Sequence, residues 1–256
     1  MSSSVREGRS DTDIFVICES DEKPYRLQIF GFERVKMAHF FHKSANNIAR
    51  ISMIAVVVLA GGVFFAYTQI ARSSYLTGKY VEKQQPVQFS HKHHSGDDGI
   101  DCRYCHSTVE TTASAGMPPT QTCMNCHNQL WSDSPYLEPI RASYRDNKPI
   151  EWERVHDLPE YVYFNHSIHV NKGVGCASCH GDISNMPAVY QVNTLQMEWC
   201  LSCHRDPAQN IRPKSEIYNT SWNPSQITPE QQREVDEKIK YIRSPQILTS
   251  CSTCHR

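Results

Sequence analysis

QFSHKHHSGDDGIDCRYCH (residues 88–106) holds two patterns in one short run. It opens with F-x-H-x-x-H, through Phe89, His91 and His94, and closes with C-x-x-C-H, through Cys102, Cys105 and His106. Working outward, the closing pattern recurs at Cys123, Cys126 and His127; at Cys176, Cys179 and His180; at Cys200, Cys203 and His204; and at Cys251, Cys254 and His255. With 11 Cys and 13 His in 256 residues, chance would supply roughly 0.02 such motifs. Five copies are a constructed feature.

The pattern is that of a c-type haem attachment site. Its two thiols bond the haem vinyl groups, and the adjacent histidine becomes the proximal ligand of the iron. Zinc also uses C-x-x-C half-sites, but it needs a second pair to complete a tetrahedron and gives no reason for a histidine after every second cysteine. The same objection meets rubredoxin-like iron and disulfide readings. The expected cofactors are therefore five covalent c-type haems, which consume every cysteine except Cys18.

The motifs start at 102, 123, 176, 200 and 251, so the sites fall into two pairs and a single. The opening pattern repeats as FNHSIH (residues 164–169) before the second pair. This is an internal duplication. An electron-transfer haem takes a second axial ligand, usually His or Met. His91 and His94, like His166 and His169, are spaced to share one helical face and to serve a haem on either side. The first histidine of each pair is expected to serve the motif that follows it. Here the chain resembles the class III multihaem cytochromes of the c3 and c7 type, where a phenylalanine-led histidine pair serves two haems.

Five irons need five distal ligands, and the duplication provides four. The fifth motif follows YIRSPQILTS (residues 241–250), which has no histidine. Met186 is the favoured fifth ligand, with Met197, Met117, Met124 and His156 as alternatives. His93 sits too close to two presumed ligands.

ISMIAVVVLAGGVFFAYTQIA (residues 51–71) carries no formal charge and is long enough for a bilayer core of about 30 Å. It begins too far into the chain for an ordinary signal peptide. The expected organisation is a cytoplasmic segment 1–50, a transmembrane anchor 51–71 and an extracytoplasmic pentahaem domain 72–256. The basic residues flanking the span differ little between sides. Orientation rests instead on bacterial haem attachment, which occurs outside the cytoplasmic membrane. Residues 1–12 read as disordered. Residues 13–48 read either as a docking segment or as a strand followed by an interfacial helix, and Cys18 as a free thiol. A formal net charge of −1 lacks the basic excess of a nucleic-acid-binding surface, so no nucleic-acid partner is expected.

The expected fold is mainly α and irregular, held by duplicated haem pairs. Helices are predicted over residues 134–145, opened by Ser134 and Pro135, and 228–242, opened by a Thr228–Gln231 capping box. Short strands are predicted near 151–155 and 160–164.

Four longer strings carry a more specific resemblance: QFSHKHHSGDDGIDCRYCHSTVE (88–110), MPPTQTCMNCH (117–127), WERVHDLPEYVYFNHSIHVNKGVGCASCHGDI (152–183) and MEWCLSCHRDP (197–207). With the anchor, they resemble the pentahaem cytochrome subunit of bacterial alternative complex III. The resemblance implies electron transfer from quinol toward a cytochrome c or an oxidase. It also implies membrane-complex partners: a large iron–sulfur molybdoenzyme-like subunit, polytopic quinol-binding subunits and a monohaem cytochrome c. The second function class is a stand-alone quinol dehydrogenase with a single anchor. The third is a multihaem enzyme, which would need an open iron. Every motif here ends in His, so no catalytic residue is expected in this chain.

Overall fold

The computed structural model describes residues 41–255. The readings placed on residues 1–12, on Cys18 and on residues 13–40 lie outside them. The chain divides into Met1–Val56 and Val57–Arg256, a boundary that falls inside the first helix.

That helix, α1 (Ala45–Arg72), has 28 residues, about 42 Å at the usual rise. Its most apolar window has a mean hydropathy of 2.3, and among the described residues it is the one helix long and apolar enough to cross a membrane. Its apolar side chains are exposed, Val57 and Leu59 at 70% each. It begins six residues before the span read from hydropathy, because nothing in Ala45–Arg50 stops a helix: there is no Pro or Gly.

Beyond a short α2 (Ser74–Thr77), the Val57–Arg256 unit is built from short helices and loops. Each attachment motif makes its own helix: α3 (Cys102–Cys105), α4 (Thr120–His127), α7 (Cys176–His180), α8 (Met197–Arg205) and α11 (Cys251–Cys254). One helical turn brings Cys i and i+3 to one face, which is what two thioether bonds to a single planar group require. The remaining α-helices are α5 (Glu138–Asp146), α6 (His166–Asn171), α9 (Pro229–Lys240) and α10 (Pro245–Leu248).

Among the described residues there is no strand, only isolated bridges such as Val174 with Ile211. The strands expected near 151–155 and 160–164 are not formed, because other groups take their backbone bonds. The Gln85 side chain binds both the N–H and the carbonyl of Glu153, and Lys83 Nζ donates to the Arg154 carbonyl. The N–H of Tyr163 goes to the carbonyl of Cys254, 2.9 Å away.

The helix expected over 134–145 is split into a 3-10 turn, Pro135–Leu137, and α5. Pro139 explains the break. In a continuous helix it would lack the N–H needed there and would clash with the carbonyl four residues back, whereas in the first turn of α5 it costs nothing. In α9 the capping box is present, with Thr228 Oγ1 accepting from Gln231 N–H at 3.2 Å and Gln231 Oε1 accepting from Thr228 N–H at 3.0 Å. Val235 is the buried member of the α9 stripe, at 5% exposure.

The apolar interior is small. Val109, Val170 and Ile217 form one cluster, flanked by Ala115 and Tyr218. It ties the loop after the first motif to α6 and to the segment after α8, and so joins the two halves of the duplication.

Candidate haem sites

The two F-x-H-x-x-H segments fold alike around their phenylalanines. Phe89 meets His91 edge-on at 4.8 Å and stacks on His94 at 4.4 Å; Phe164 meets His166 edge-on at 4.7 Å and stacks on His169 at 4.6 Å. Each phenyl ring thereby fixes two imidazoles at different angles. The second histidine of each pair reaches back four residues: His94 Nδ1 to the Ser90 carbonyl at 2.9 Å, and His169 Nδ1 to the Asn165 carbonyl at 2.7 Å. The backbones differ. The first segment runs into a π-helical turn, Lys92–Asp97, and the second is the α-helical α6 with Asn165 as its N-cap.

Two imidazoles on opposite faces of one iron, each about 2 Å from it, have ring centres about 6.3 Å apart. The structure sets His94 and His127 at 6.1 Å, His166 and His180 at 6.4 Å, and His169 and His204 at 6.2 Å. His91 has His106, His94 and His156 as charged-group neighbours. His156 is only 4.3 Å from His180, edge to face, which leaves no room for an iron between those two rings.

The proton positions suit ligation as well. A carbonyl can only accept, so a ring nitrogen bonded to one carries the proton and leaves the other nitrogen's lone pair free for a metal. Besides His94 and His169, this holds for His106 Nδ1 to Gly116 at 2.8 Å, His127 to Leu130 at 3.1 Å and His204 to Leu248 at 3.0 Å. His255 to Tyr161 at 3.0 Å and His166 to Ala113 at 2.9 Å complete the set. Burial lowers the pKa of His91 to about 4 and that of His180 to about 3, with nearby histidines adding to both. These rings are therefore neutral, the form that binds iron.

Two of the motif thiols, Cys176 and Cys179, are well buried and held in the neutral form. Burial pushes Cys176 up to about 11 and Cys179 to about 12, opposite to the depressed values of reactive or metal-binding thiols. Among the described residues, no three His, Cys, Asp or Glu side chains converge as a metal site would require. The donor set fits a planar group that brings its own iron and takes only axial nitrogen from the protein. The five C-x-x-C-H motifs and the four histidines of the pairs would hold it.

Met186 is buried at 4% exposure, against 61% for Met117 and 66% for Met197. Its carbonyl accepts the Lys92 N–H at 3.0 Å, so it is seated beside the first histidine pair. His255 is fixed from another segment, by Tyr161, whose ring is 5.8 Å away. The carbonyl acceptors Gly116, Leu130, Ala113, Leu248 and Tyr161 were not legible in the sequence, because any residue type supplies a backbone carbonyl. His156 beside His180 likewise carries no sequence signal of its neighbour.

Comparison with known proteins agrees with this donor set. The family model for cytochrome c7 and related cytochrome c matches residues 87–135 and 162–256. The chain is also 27% identical over 180 residues to the "Menaquinone reductase, multiheme cytochrome c subunit" of Nitratidesulfovibrio vulgaris, covering 69% of this chain and 79% of that one.

Proposed function

We propose a function from one premise: the chain belongs to the cytochrome c7 and related cytochrome c family, whose model spans more than half of it. The function is electron transfer as the five-haem, membrane-anchored subunit of a quinol-oxidising respiratory complex of the alternative complex III type. The carrying observation is the spacing of the histidine rings at 6.1, 6.4 and 6.2 Å, each matched to two axial ligands of one iron. When bound, each haem supplies a one-electron couple between ferrous and ferric iron.

The chain's own residues hold and orient those groups. Cys102 with Cys105, Cys123 with Cys126, Cys176 with Cys179, Cys200 with Cys203, and Cys251 with Cys254 are the proposed thioether donors. His106, His127, His180, His204 and His255 are the proximal ligands. His91, His94, His166 and His169 would hold the other side of the haems held by His106, His127, His180 and His204 in turn. For the fifth iron the proposal is a methionine; Met186, favoured from the sequence and buried, is seated beside Lys92 and the first histidine pair, whereas His255 is held by Tyr161, and the following variant decides whether Met186 serves as a ligand at all. Met186→Leu tests it: the oxidised holoprotein is expected to lose the methionine–iron charge-transfer band in magnetic circular dichroism. A wild-type spectrum without that band assigns Met186 to packing beside Lys92.

Residues 73–256 are proposed to face the outside of the cytoplasmic membrane, with residues 1–50 in the cytoplasm. Quinol chemistry belongs to neighbours: polytopic membrane subunits, together with a large iron–sulfur molybdoenzyme-like subunit and a monohaem cytochrome c. The relative's printed name favours a second reading, in which electrons run toward menaquinone instead.

Purification in gentle detergent, with haem staining, subunit mass spectrometry and assays in both directions, tests the proposal. Co-purification with large and polytopic subunits plus quinol-dependent cytochrome c reduction is expected. Quinone reduction without quinol oxidation would select the reverse direction. A lone haem-bearing chain with quinol activity would select the stand-alone quinol dehydrogenase.

A further inference from the structure

We propose that the five attachment sites form an unbranched row whose order differs from their order in the chain: second, first, third, fourth, fifth. The inference rests on the five-haem reading above. It follows from which motifs touch which.

The second and first sites meet through their own intervening residues. Asn125, inside the second motif, donates to the hydroxyl of Tyr104, inside the first, at 3.1 Å. Cys105 and Cys123 lie near one another. The first and third sites join next. His166 fastens both its N–H and its Nδ1 to the carbonyl of Ala113, in the loop whose Gly116 carbonyl holds His106. Cys102 and Cys176 are neighbours, and His180 has both His106 and His91 near it.

From the third site the row continues to the fourth. His166 and His169 share α6 and face His180 and His204 respectively. Asn193, just before α8, donates to the carbonyl of Cys179 at 3.1 Å, and Cys203 and Cys200 lie near Cys179. The fourth and fifth sites close the row. His204 Nδ1 donates to the carbonyl of Leu248, at the end of the helix that precedes the fifth motif, and Cys200 lies near Cys254.

The chain order inverts at the start for a structural reason. His91 and His94 sit on one turn and point to different irons, so the first and second sites must flank that turn. The second half of the duplication then packs on the first site through the Val109, Val170 and Ile217 cluster, which leaves the second site at an end. The other end is the fifth site. The fourth lies where the anchor emerges, since Gln196 Nε2 donates to the Ala71 carbonyl at 2.7 Å and Arg72 pairs with Glu198 at 2.6 Å.

The test counts neighbours. In the full-length oxidised holoprotein, His91→Ala turns the first iron high-spin and His94→Ala turns the second. Electron paramagnetic resonance should show two low-spin signals broadened in His91→Ala and one in His94→Ala. One in the first variant and two in the second would overturn the order, since that is what chain order requires. Equal numbers would overturn it too. Iron positions from electron microscopy of the wild-type complex give the same answer without a variant. Fewer than five irons in this chain would strike the five-haem reading instead, and is read separately from the order.

Discussion

At the scale of the residue, histidine does two jobs here, and the neighbouring backbone decides which nitrogen does each. Seven of the nine proposed ligand histidines spend Nδ1 on a backbone carbonyl. Changing a carbonyl acceptor is impossible by substitution, but changing the ligand is not. His169→Met replaces an imidazole with a thioether at the fourth site while keeping an axial donor. Methionine favours ferrous iron, so one of the midpoint potentials is expected to rise by on the order of 100 mV within the range that axial ligands command. Spectroelectrochemical titration reads it. Five unchanged potentials would remove His169 from the ligand set.

At the scale of the element, the sequence was most legible where chemistry and periodicity coincide, and least where side chains replace backbone partners. The capping box follows from residue type alone, whereas the helical turns on the attachment motifs were not among the helices predicted and emerged from the structure. Pro139 was a readable signal that splits the helix at 134–145. The missing strands at 151–155 and 160–164 were not readable, because Gln85, Lys83 and Cys254 approach from distant positions. Two substitutions separate these cases. Thr228→Ala removes the side chain that accepts the Gln231 N–H and is expected to cost about 1 kcal/mol of stability, seen as a lower denaturation midpoint. A wild-type midpoint would mean α9 does not contribute to the cooperative unit. Gly96→Ala is expected to act differently. Its Cβ would lie 2.2 Å from the backbone carbonyl oxygen of Ser184, so the turn carrying His94 must part from the loop at 183–186. The expected loss is about 1–3 kcal/mol, accompanied by a changed signal from the second site. Loss of stability with that signal intact would show that the loop yields rather than the turn.

At the scale of the molecule, the attachment sites take the place that an apolar core holds in other folds. Few hydrophobic side chains are buried, Val87, Ile140 and Ile211 among them, and most stand apart from the single cluster. What unites residues 87–255 is the row of motif helices, each fastened to the next by a hydrogen bond or by a shared histidine helix. The sequence contains five attachment motifs and shows their pairing along the chain, but the proposed order in space was not legible in it. The proposed order rests on contacts such as Tyr104 with Asn125 and His204 with Leu248, whose partners carry no sequence signal of one another. Among the described residues, the anchor gives the haem-bearing region an exposed ion pair, Arg72 with Glu198 at 54% and 67% side-chain exposure, and one hydrogen bond from Gln196. An exposed pair of this kind is worth about 0–1 kcal/mol, too little to hold the haem-bearing region together. Removal of residues 1–72 behind a secretory signal is therefore expected to give a haem-stained protein in the soluble extracytoplasmic fraction. Its pyridine haemochrome should report five haems per chain. If the truncated chain instead stays with the membrane, a surface other than α1 binds there. If it is degraded without haem, residues 1–72 contribute to folding beyond the two contacts that they lose.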